Sequence, residues 1–212
     1  MPVSDKNKCI FIHIPRTAGS SIEEALLRIN TTGEDRDVPQ PEVLFGLIPD
    51  KLRKSYDIPM NYRELQHLNA VEVRKIVTPG KWGEYYKFAF VRNPWDRLVS
   101  WYYYLNRTED FDEWIQVLST EGTPFNDDRV SRSQLEWITD KNGENMVDYV
   151  GRFENLEVDY KRICNKLGLK VTKLPFIRKT NHRFYREYYN LKSKKRVSEM
   201  FYNDIAHFNY EF

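Results

Sequence analysis

Largely apolar segments along the chain predict three strands, of which the first two are expected to be buried. They span Cys9–Ile14, Tyr86–Arg92 and Met146–Phe153. Strands of parallel sheets covered by helices read as continuous apolar runs, whereas half-exposed strands alternate apolar and polar residues. The runs therefore favour a parallel sheet in the interior of the protein.

Between these strands, apolar residues recur at helical spacing. The predicted helices are Ser20–Ile29, Asn69–Val77, Pro94 to about Asn106, Phe111–Leu118, Glu154–Leu167 and Lys192–Ala206. Asn69 and Asn93 are the expected N-caps, and Asp96 is expected to complete a capping box with Asn93. Gly168 is the expected end of the fifth helix.

Alternating strands and helices predict an α/β fold around a central, mostly parallel sheet flanked by helices. Residues 30–62, with four prolines and two glycines, and the basic residues 170–191 lack a sustained period and are predicted to be irregular. The 212 residues are predicted to form one domain, 1–212, with at most a small appendage. Ligands of such sheets bind beyond the carboxyl ends of the strands, where Pro15–Ser21 and Arg92–Asn93 fall.

The first strand-to-helix junction, PRTAGSS (residues 15–21), has the composition of an anion-binding loop. Small and hydroxyl-bearing residues and one cation, Arg16, stand directly before a predicted helix. The N–H groups of such a turn and of the first helical turn point at one spot, where the helix dipole adds positive potential. The loop therefore predicts a ligand that carries a phosphate or a sulfate.

The second junction, FVRNPWDRLVSWYYYL (residues 90–105), repeats this arrangement. Arg92 ends an apolar strand, where a charge is costly to bury without a partner, and Ser100 lies two turns into the following helix. If Ser100 lies on the Arg92 side, the two offer a guanidinium fork and a hydroxyl to a second phosphate. The alternative is a structural ion pair between Arg92 and Asp96. Together the two junctions favour a nucleotide with phosphates at both ends.

Composition narrows the class of protein further. The net charge of +2 argues against a general nucleic-acid binder, although ten lysines and arginines and one acid, Glu187, lie within residues 170–196. Cys9 and Cys164 have no metal-ligand spacing, and no apolar run approaches the roughly 18–20 residues of a membrane span. Without a signal peptide, we expect a cytoplasmic protein with no metal site, no transmembrane segment and no nucleic-acid partner.

Both junctions resemble segments of a known family. PRTAGSS resembles the 5′-phosphosulfate loop of sulfotransferases that use 3′-phosphoadenosine 5′-phosphosulfate (PAPS), and FVRNPWDRLVSWY is similar to their 3′-phosphate-binding segment. VGRFENLEVDYKRICNKLGL (residues 150–169) and the aromatic, basic tail resemble the carbohydrate-type branch, family 2. The resemblance covers most of residues 9–210. It implies a P-loop-like three-layer fold and sulfuryl transfer from PAPS to a hydroxyl of a carbohydrate or glycoconjugate, without a metal.

The resemblance also implies which residues bind the cofactor. They are Arg16, Thr17, Ala18, Gly19, Ser20, Ser21, Arg92 and Ser100. Many family members have Lys where this chain has Arg16, and Arg keeps the positive charge and adds a fork of donors. Arg16 is also expected to act in catalysis, by neutralising the charge that builds on the bridging oxygen as the sulfuryl group leaves.

A general base must accept the proton of the acceptor hydroxyl, and His67 is the first candidate. It lies in RELQHLNAVE, directly before a helix, and the carbohydrate-type branch often has a His in a similar setting. Glu64 and His182 are the alternatives. His13, near the first loop, is expected to pack structurally or to support the loop, and His207 to be peripheral.

Two other functions stay open at this point. A small P-loop kinase is disfavoured, because the first loop lacks the GxxxxGK[ST] pattern and no apolar run ending in Asp is evident. A non-catalytic nucleotide- or glycan-binding protein of the same fold is the other. Gln134 and residues 179–181 are weaker candidates for ligand contact.

Overall fold

A four-stranded sheet lies at the centre of the computed structural model, which describes residues 3–30, 66–118, 128–177 and 182–212. Its strands, in spatial order, are β1 (Val3–Ser4), β2 (Cys9–Ile12), β3 (Tyr86–Val91) and β4 (Tyr149–Arg152). The pairs β2–β3 and β3–β4 are parallel, and β1 adds an antiparallel edge. The prediction of a mostly parallel sheet is confirmed.

Helices cover both faces of this sheet. They are α1 (Gly19–Asn30), α2 (Ala70–Ile76), α3 (Pro79–Glu84), α4 (Pro94–Tyr104), α5 (Phe111–Val117), α6 (Asp128–Ser131), α7 (Leu135–Ile138), α8 (Leu156–Lys166), α9 (Leu191–Met200) and α10 (Tyr202–Phe208). Two 3-10 turns, Phe153–Asn155 and Tyr185–Tyr188, accompany them.

Alternate residues of the strands build two separate cores, one on each face. On one face, Phe11 and Phe88 pack with α1 and α8. On the other, Ile12 and neighbouring strand residues pack with α2, α4, α5, α7, α9 and α10. Because successive strand side chains point to opposite faces, a run of apolar residues is needed to fill both cores. The three-layer arrangement follows from this pattern.

Several predicted boundaries are wrong in detail. β2 ends at Ile12 because the chain turns there, with the Ile14 N–H donating to the Ile12 carbonyl at 3.1 Å. The third strand starts only at Tyr149, since the Met146 N–H donates to the carbonyl of Ile138 instead of joining the sheet. The helix predicted over Lys192–Ala206 is broken into α9 and α10 at Phe201, whose ring is buried in the core.

The helix ends follow the predicted signals with one exception. Asn69 forms a capping box with Glu72, and Gly168 has a φ of +67°, which glycine adopts readily after a helix. Asn93 caps α4 by accepting from the Trp95 N–H at 3.1 Å. The capping box predicted with Asp96 is wrong, because the Asp96 carboxylate pairs with Arg92.

The irregular structure predicted for residues 31–62 lies outside the described residues. In the segment from 170 to 191, the described part is irregular apart from the turn Tyr185–Tyr188 and the start of α9. Within the described ranges, no helix has both the length and the apolar character that a membrane crossing requires.

Candidate active site

A cavity of about 870 Å³ opens where β2 and β3 end, and residues of both predicted junctions line it. Those of the predicted ligand-binding residues that line the cavity are Arg16, Ala18, Gly19, Ser20, Ser21, Arg92 and Ser100. Thr17 is fully buried and its hydroxyl donates to the Ile14 carbonyl at 2.8 Å, so this side chain holds the loop together. The two parallel strands thus bring the two sequence motifs to one place.

The backbone of the first loop is held in an uncommon conformation. Arg16 and Ala18 both have a φ of +69°, in the left-handed region that non-glycine residues rarely adopt. The carbonyl of Ala18 then accepts from the N–H groups of Ser21, at 3.0 Å, and Ile22, at 3.2 Å, which starts α1. Left-handed residues of this kind turn backbone N–H groups to one side and form anion-binding concavities. Such strain is typical of ligand-binding loops.

Arg16 links the loop to α4. Its Nε and Nη2 donate to Ser100 Oγ at 3.0 and 2.8 Å, and its guanidinium lies 4.5 Å from the centre of the Tyr104 ring. The sequence left open whether Ser100 lies on the Arg92 side, and in the structure its hydroxyl accepts both of these bonds from Arg16. The cation of the first loop is therefore oriented by a residue of the second motif.

Arg92 connects the two motifs from the other side. Its Nε donates to Asp96 at 2.7 Å and its Nη1 to the Arg16 carbonyl at 3.2 Å, while the guanidinium stacks 3.9 Å from the Phe153 ring centre. The structural pair with Asp96, which the sequence left as the alternative, is thus present. The same guanidinium also lines the cavity, so the ion pair and a ligand-facing position coexist.

The backbone of Arg92 is fixed by Gln134. The Arg92 N–H donates to Gln134 Oε1 at 2.9 Å, and Gln134 Nε2 donates to the Arg92 carbonyl at 2.8 Å. Asp204 of α10 accepts from the Gln134 N–H at 2.8 Å, and both side chains are fully buried. Gln134 therefore positions Arg92 from behind and lies outside the described wall of the cavity.

Arg97 anchors the loop from inside the protein. It is almost completely buried and donates to the carbonyls of Pro15 at 3.1 Å, Arg129 at 2.8 Å and Arg132 at 3.2 Å. Burial lowers the pKa of Arg97 to about 10, against the opposing effect of Asp204, so the guanidinium stays charged at neutral pH. No local pattern in the sequence marks Arg97 as buried, because it directly follows Asp96 in α4.

His67 lies next to the first loop. Its Nδ1 is 3.1 Å from the carbonyl oxygen of His13, and its ring meets the His13 ring edge-on with centroids 4.6 Å apart. Burial, together with the charge of His13, lowers the pKa of His67 to about 3. His67 is not among the described residues that line the cavity, whereas His13 and His182 are.

His13 forms a pair with a carboxylate that the sequence did not reveal. Its Nδ1 lies 2.7 Å from Oε1 of Glu23, and Oε2 of Glu23 accepts from Gln66 Nε2 at 2.5 Å. A Cβ on Gly19 would lie only 2.0 Å from Nε2 of His13, so glycine is required where the ring rests on the loop. The structure therefore gives His13 a place on the cavity wall as well as against the loop.

The remaining predicted residues fall into two groups. Glu64 and residues 179–181 lie outside the described residues, whereas His207 is exposed on α10. In the part of the chain that the structure describes, no group of three or more His, Cys, Asp or Glu side chains is placed to hold a metal ion.

Comparison with known proteins assigns the chain to a family. Residues 1–211 match the family described as "Sulfotransferase family", of the P-loop-like sulfotransferase fold. An uncharacterized protein of Archaeoglobus fulgidus is 32% identical over 96 residues, which amount to 40% of this chain and 69% of that protein. With a family match over nearly the whole chain and the two strand-to-helix junctions on one cavity, this protein belongs to the sulfotransferase family and is a sulfotransferase enzyme.

Proposed function

We propose that this sulfotransferase uses PAPS as its donor and transfers the sulfuryl group to a hydroxyl of a carbohydrate or glycoconjugate. The observation that carries the donor is that Arg16 and Arg92, each following a parallel strand, line one cavity of about 870 Å³. Ligand cavities of roughly 300–1,000 Å³ are usual for small molecules and cofactors. A nucleotide with phosphates at both ends fits two cationic sites within one cavity.

The residues divide between the two ends of this donor. The strained loop around Arg16 and Ala18, with the start of α1, would hold the 5′ phosphosulfate. Arg92, with its backbone fixed by Gln134, would hold the 3′ phosphate. The site contains guanidinium and amide donors suited to anions, and we propose that it works without a metal.

Transfer makes one bond and breaks another at sulfur. The acceptor oxygen bonds to the sulfur while the bond from sulfur to the bridging phosphate oxygen breaks, leaving a sulfate ester and adenosine 3′,5′-bisphosphate. We propose that Arg16, oriented by Ser100, neutralises the charge that develops on the leaving phosphate. Positioning and charge stabilisation then carry most of the catalysis, as in phosphoryl transfer.

We propose His67 as the base that takes the acceptor proton, with His182, which lines the cavity as His67 does not, as the alternative among the described residues. A carbonyl oxygen only accepts hydrogen bonds, so Nδ1 of His67 carries the proton in its contact with the His13 carbonyl. The other nitrogen, Nε2, then keeps its lone pair. Burial lowers the pKa of His67 to about 3, so the imidazole is neutral at neutral pH and its Nε2 is unprotonated, but a base with this pKa is weak unless bound acceptor raises it.

His67→Ala should abolish turnover and leave the affinity for adenosine 3′,5′-bisphosphate nearly unchanged, because the base contacts the acceptor and not the donor phosphates. Single-turnover kinetics and calorimetry measure the two quantities separately, with His207→Ala as the matched exposed control. A fall of about 100-fold or more in rate is expected for the loss of a general base. Full activity in the variant would transfer the role to Glu64 or His182.

Transfer of labelled sulfate from PAPS to a panel of carbohydrate and glycoconjugate acceptors tests the function as a whole. We expect at least one acceptor to be labelled, and Arg16→Ala to reduce that labelling by about 100-fold. Tight binding of the donor with no transfer to any acceptor would favour a non-catalytic binding protein of the same fold.

We also infer that residues 1–212 form a single domain, which the family match over residues 1–211 and the shared sheet support.

A cytoplasmic location is proposed from the two cysteines. Cys9 and Cys164 are both buried and form no disulfide, and burial raises the pKa of Cys9 to about 12, which keeps its thiol protonated. Two unpaired, buried thiols are typical of proteins in a reducing compartment.

A further inference from the structure

The imidazole of His13 is fixed at the point where the anion-binding loop enters α1. It is 4% exposed and lines the cavity. Phe11 stacks on it with ring centroids 5.5 Å apart, and its Nε2 rests over Gly19, the first residue of α1. The first N–H groups of a helix have no partners within the helix and attract anions. Nε2 of His13 is therefore held beside the place where an anion would bind.

Glu23 puts a carboxylate next to this anion site, and the carboxylate needs a positive partner there. Its side chain is 11% exposed and lies 2.7 Å from Nδ1 of His13. Burial raises the pKa of Glu23, but the charge of His13 and the hydrogen bonds from His13 and Gln66 outweigh this effect, and the pKa lies below its usual value. An ionised carboxylate alone would repel a phosphosulfate. A protonated imidazole between them removes that repulsion.

We propose that His13, held at Nδ1 by Glu23, is a ligand of the 5′ phosphosulfate group and donates its Nε2–H to it. The inference rests on the proposed donor. Among the described residues, Nε2 of His13 has no hydrogen-bond partner in the protein, which leaves it for the ligand. Glu23 is a positioning residue, because it accepts the Nδ1–H and holds the ring and its charge in place.

Among the described residues, two titratable side chains lie directly against the His13 ring. Glu23 faces His13 from α1, and His67 faces it from the segment before α2. Arg129 of α6 acts on His67, and Arg16 lines the same cavity. Of these groups, Glu23 alone is negative and in contact with His13. An anion bound on the other side of the ring would therefore place the imidazole between two negative groups.

Titration calorimetry with adenosine 3′,5′-bisphosphate at about pH 6 and pH 8.5 tests the proposal. Histidine side chains change charge between about pH 5 and 8. His13→Gln, which cannot become charged, should bind about 10-fold more weakly than the wild type at pH 6 and no more weakly at pH 8.5. The free ligand titrates identically in both experiments, so a difference in affinity between the two proteins reports the substitution at His13.

Matched variants measure separately what the Nδ1 and the Nε2 of His13 contribute to ligand affinity. His13→Asn keeps a donor toward Glu23 but places none near Nε2, so it should lose affinity at pH 6 as His13→Gln does. Glu23→Gln should move the pH-dependent loss of affinity to lower pH, whereas Glu24→Gln, the same charge change one residue along α1, should leave it in place. Adenosine 3′-monophosphate, which lacks the 5′ group, should bind the wild type and His13→Gln equally.

Two negative results of these titrations would contradict different parts of the proposal. Equal affinities of the wild type and His13→Gln for adenosine 3′,5′-bisphosphate at both pH values would overturn the role of His13 while leaving the donor site intact. No binding of this ligand to the wild type at high micromolar concentration would refute the proposed donor itself.

Discussion

At the residue scale, the burial of His67 has a consequence for stability that is independent of catalysis. A histidine in an unfolded chain has a pKa near 6.5. Burial, with the charge of His13, lowers the pKa of His67 in the folded protein to about 3. Between these values the unfolded chain binds a proton that the folded chain does not, so the free energy of unfolding falls as the pH drops below about 6.5.

Urea unfolding at pH 7 and pH 5 measures this effect. The wild type should lose about 2 kcal/mol more than His67→Gln over this interval. His207→Gln, at an exposed position, should behave as the wild type does. An identical loss in His67→Gln and the wild type would show that His67 is not held neutral by its surroundings.

Residues whose role follows from their local sequence could be predicted. Arg92 stands directly after an apolar strand, where a charge implies a partner or a ligand, and Arg16 is the cation of the loop between β2 and α1. The pair of His13 and Glu23 was missed because it joins a strand end to the second turn of a helix. No local spacing encodes that contact, since it depends on how α1 lies against β2.

At the scale of elements, a carboxylate on α10 supports the second motif through α7. Oδ1 of Asp204 accepts from the Ser133 hydroxyl and, at 2.9 Å, from the Leu135 N–H. Oδ2 accepts from both the backbone and the side-chain N–H groups of Gln134, which in turn holds both backbone groups of Arg92. A C-terminal helix thus helps to fix a strand end about 110 residues away in sequence.

Asp204→Asn should lower the free energy of unfolding by about 2–4 kcal/mol, because an amide nitrogen would face backbone donors in a buried site. The affinity for adenosine 3′,5′-bisphosphate should fall as well, since Arg92 loses part of its backbone support. Denaturant unfolding and calorimetry check the two effects, with Glu211→Gln as an exposed control. Unchanged stability in Asp204→Asn would mean that this network does not hold the second motif.

Helices with strong capping signals were predictable, and breaks caused by packing were not. Asn69, Asn93 and Gly168 mark helix ends through local hydrogen bonds and backbone conformation. These depend on the residue type at one position, so they can be predicted from the sequence. The break at Phe201 allows α9 and α10 to place apolar residues in the same core, and helical periodicity alone does not predict it.

At the scale of the whole molecule, we propose that the segments after β2 and β3 bind one nucleotide at both of its phosphates. The parallel sheet makes this arrangement possible, because the carboxyl ends of β2 and β3 lie side by side. The sequence predicted this meeting of the two motifs from fold class alone. It did not predict that Arg16 binds Ser100 or that Arg92 contacts the Arg16 carbonyl, since both contacts depend on how α4 lies against the loop.

The most direct measurement is the affinity for adenosine 3′,5′-bisphosphate, 3′-AMP and 5′-AMP in the wild type, Arg16→Ala and Arg92→Ala. Each arginine makes charge-assisted hydrogen bonds worth about 1.5–3 kcal/mol, so its loss should weaken the bisphosphate by about 10-fold or more. Arg16→Ala should weaken 5′-AMP and spare 3′-AMP, and Arg92→Ala should do the reverse. Lys192→Ala, at an exposed position, should change none of these affinities. Unchanged bisphosphate affinity in both arginine variants would contradict the two-phosphate grip.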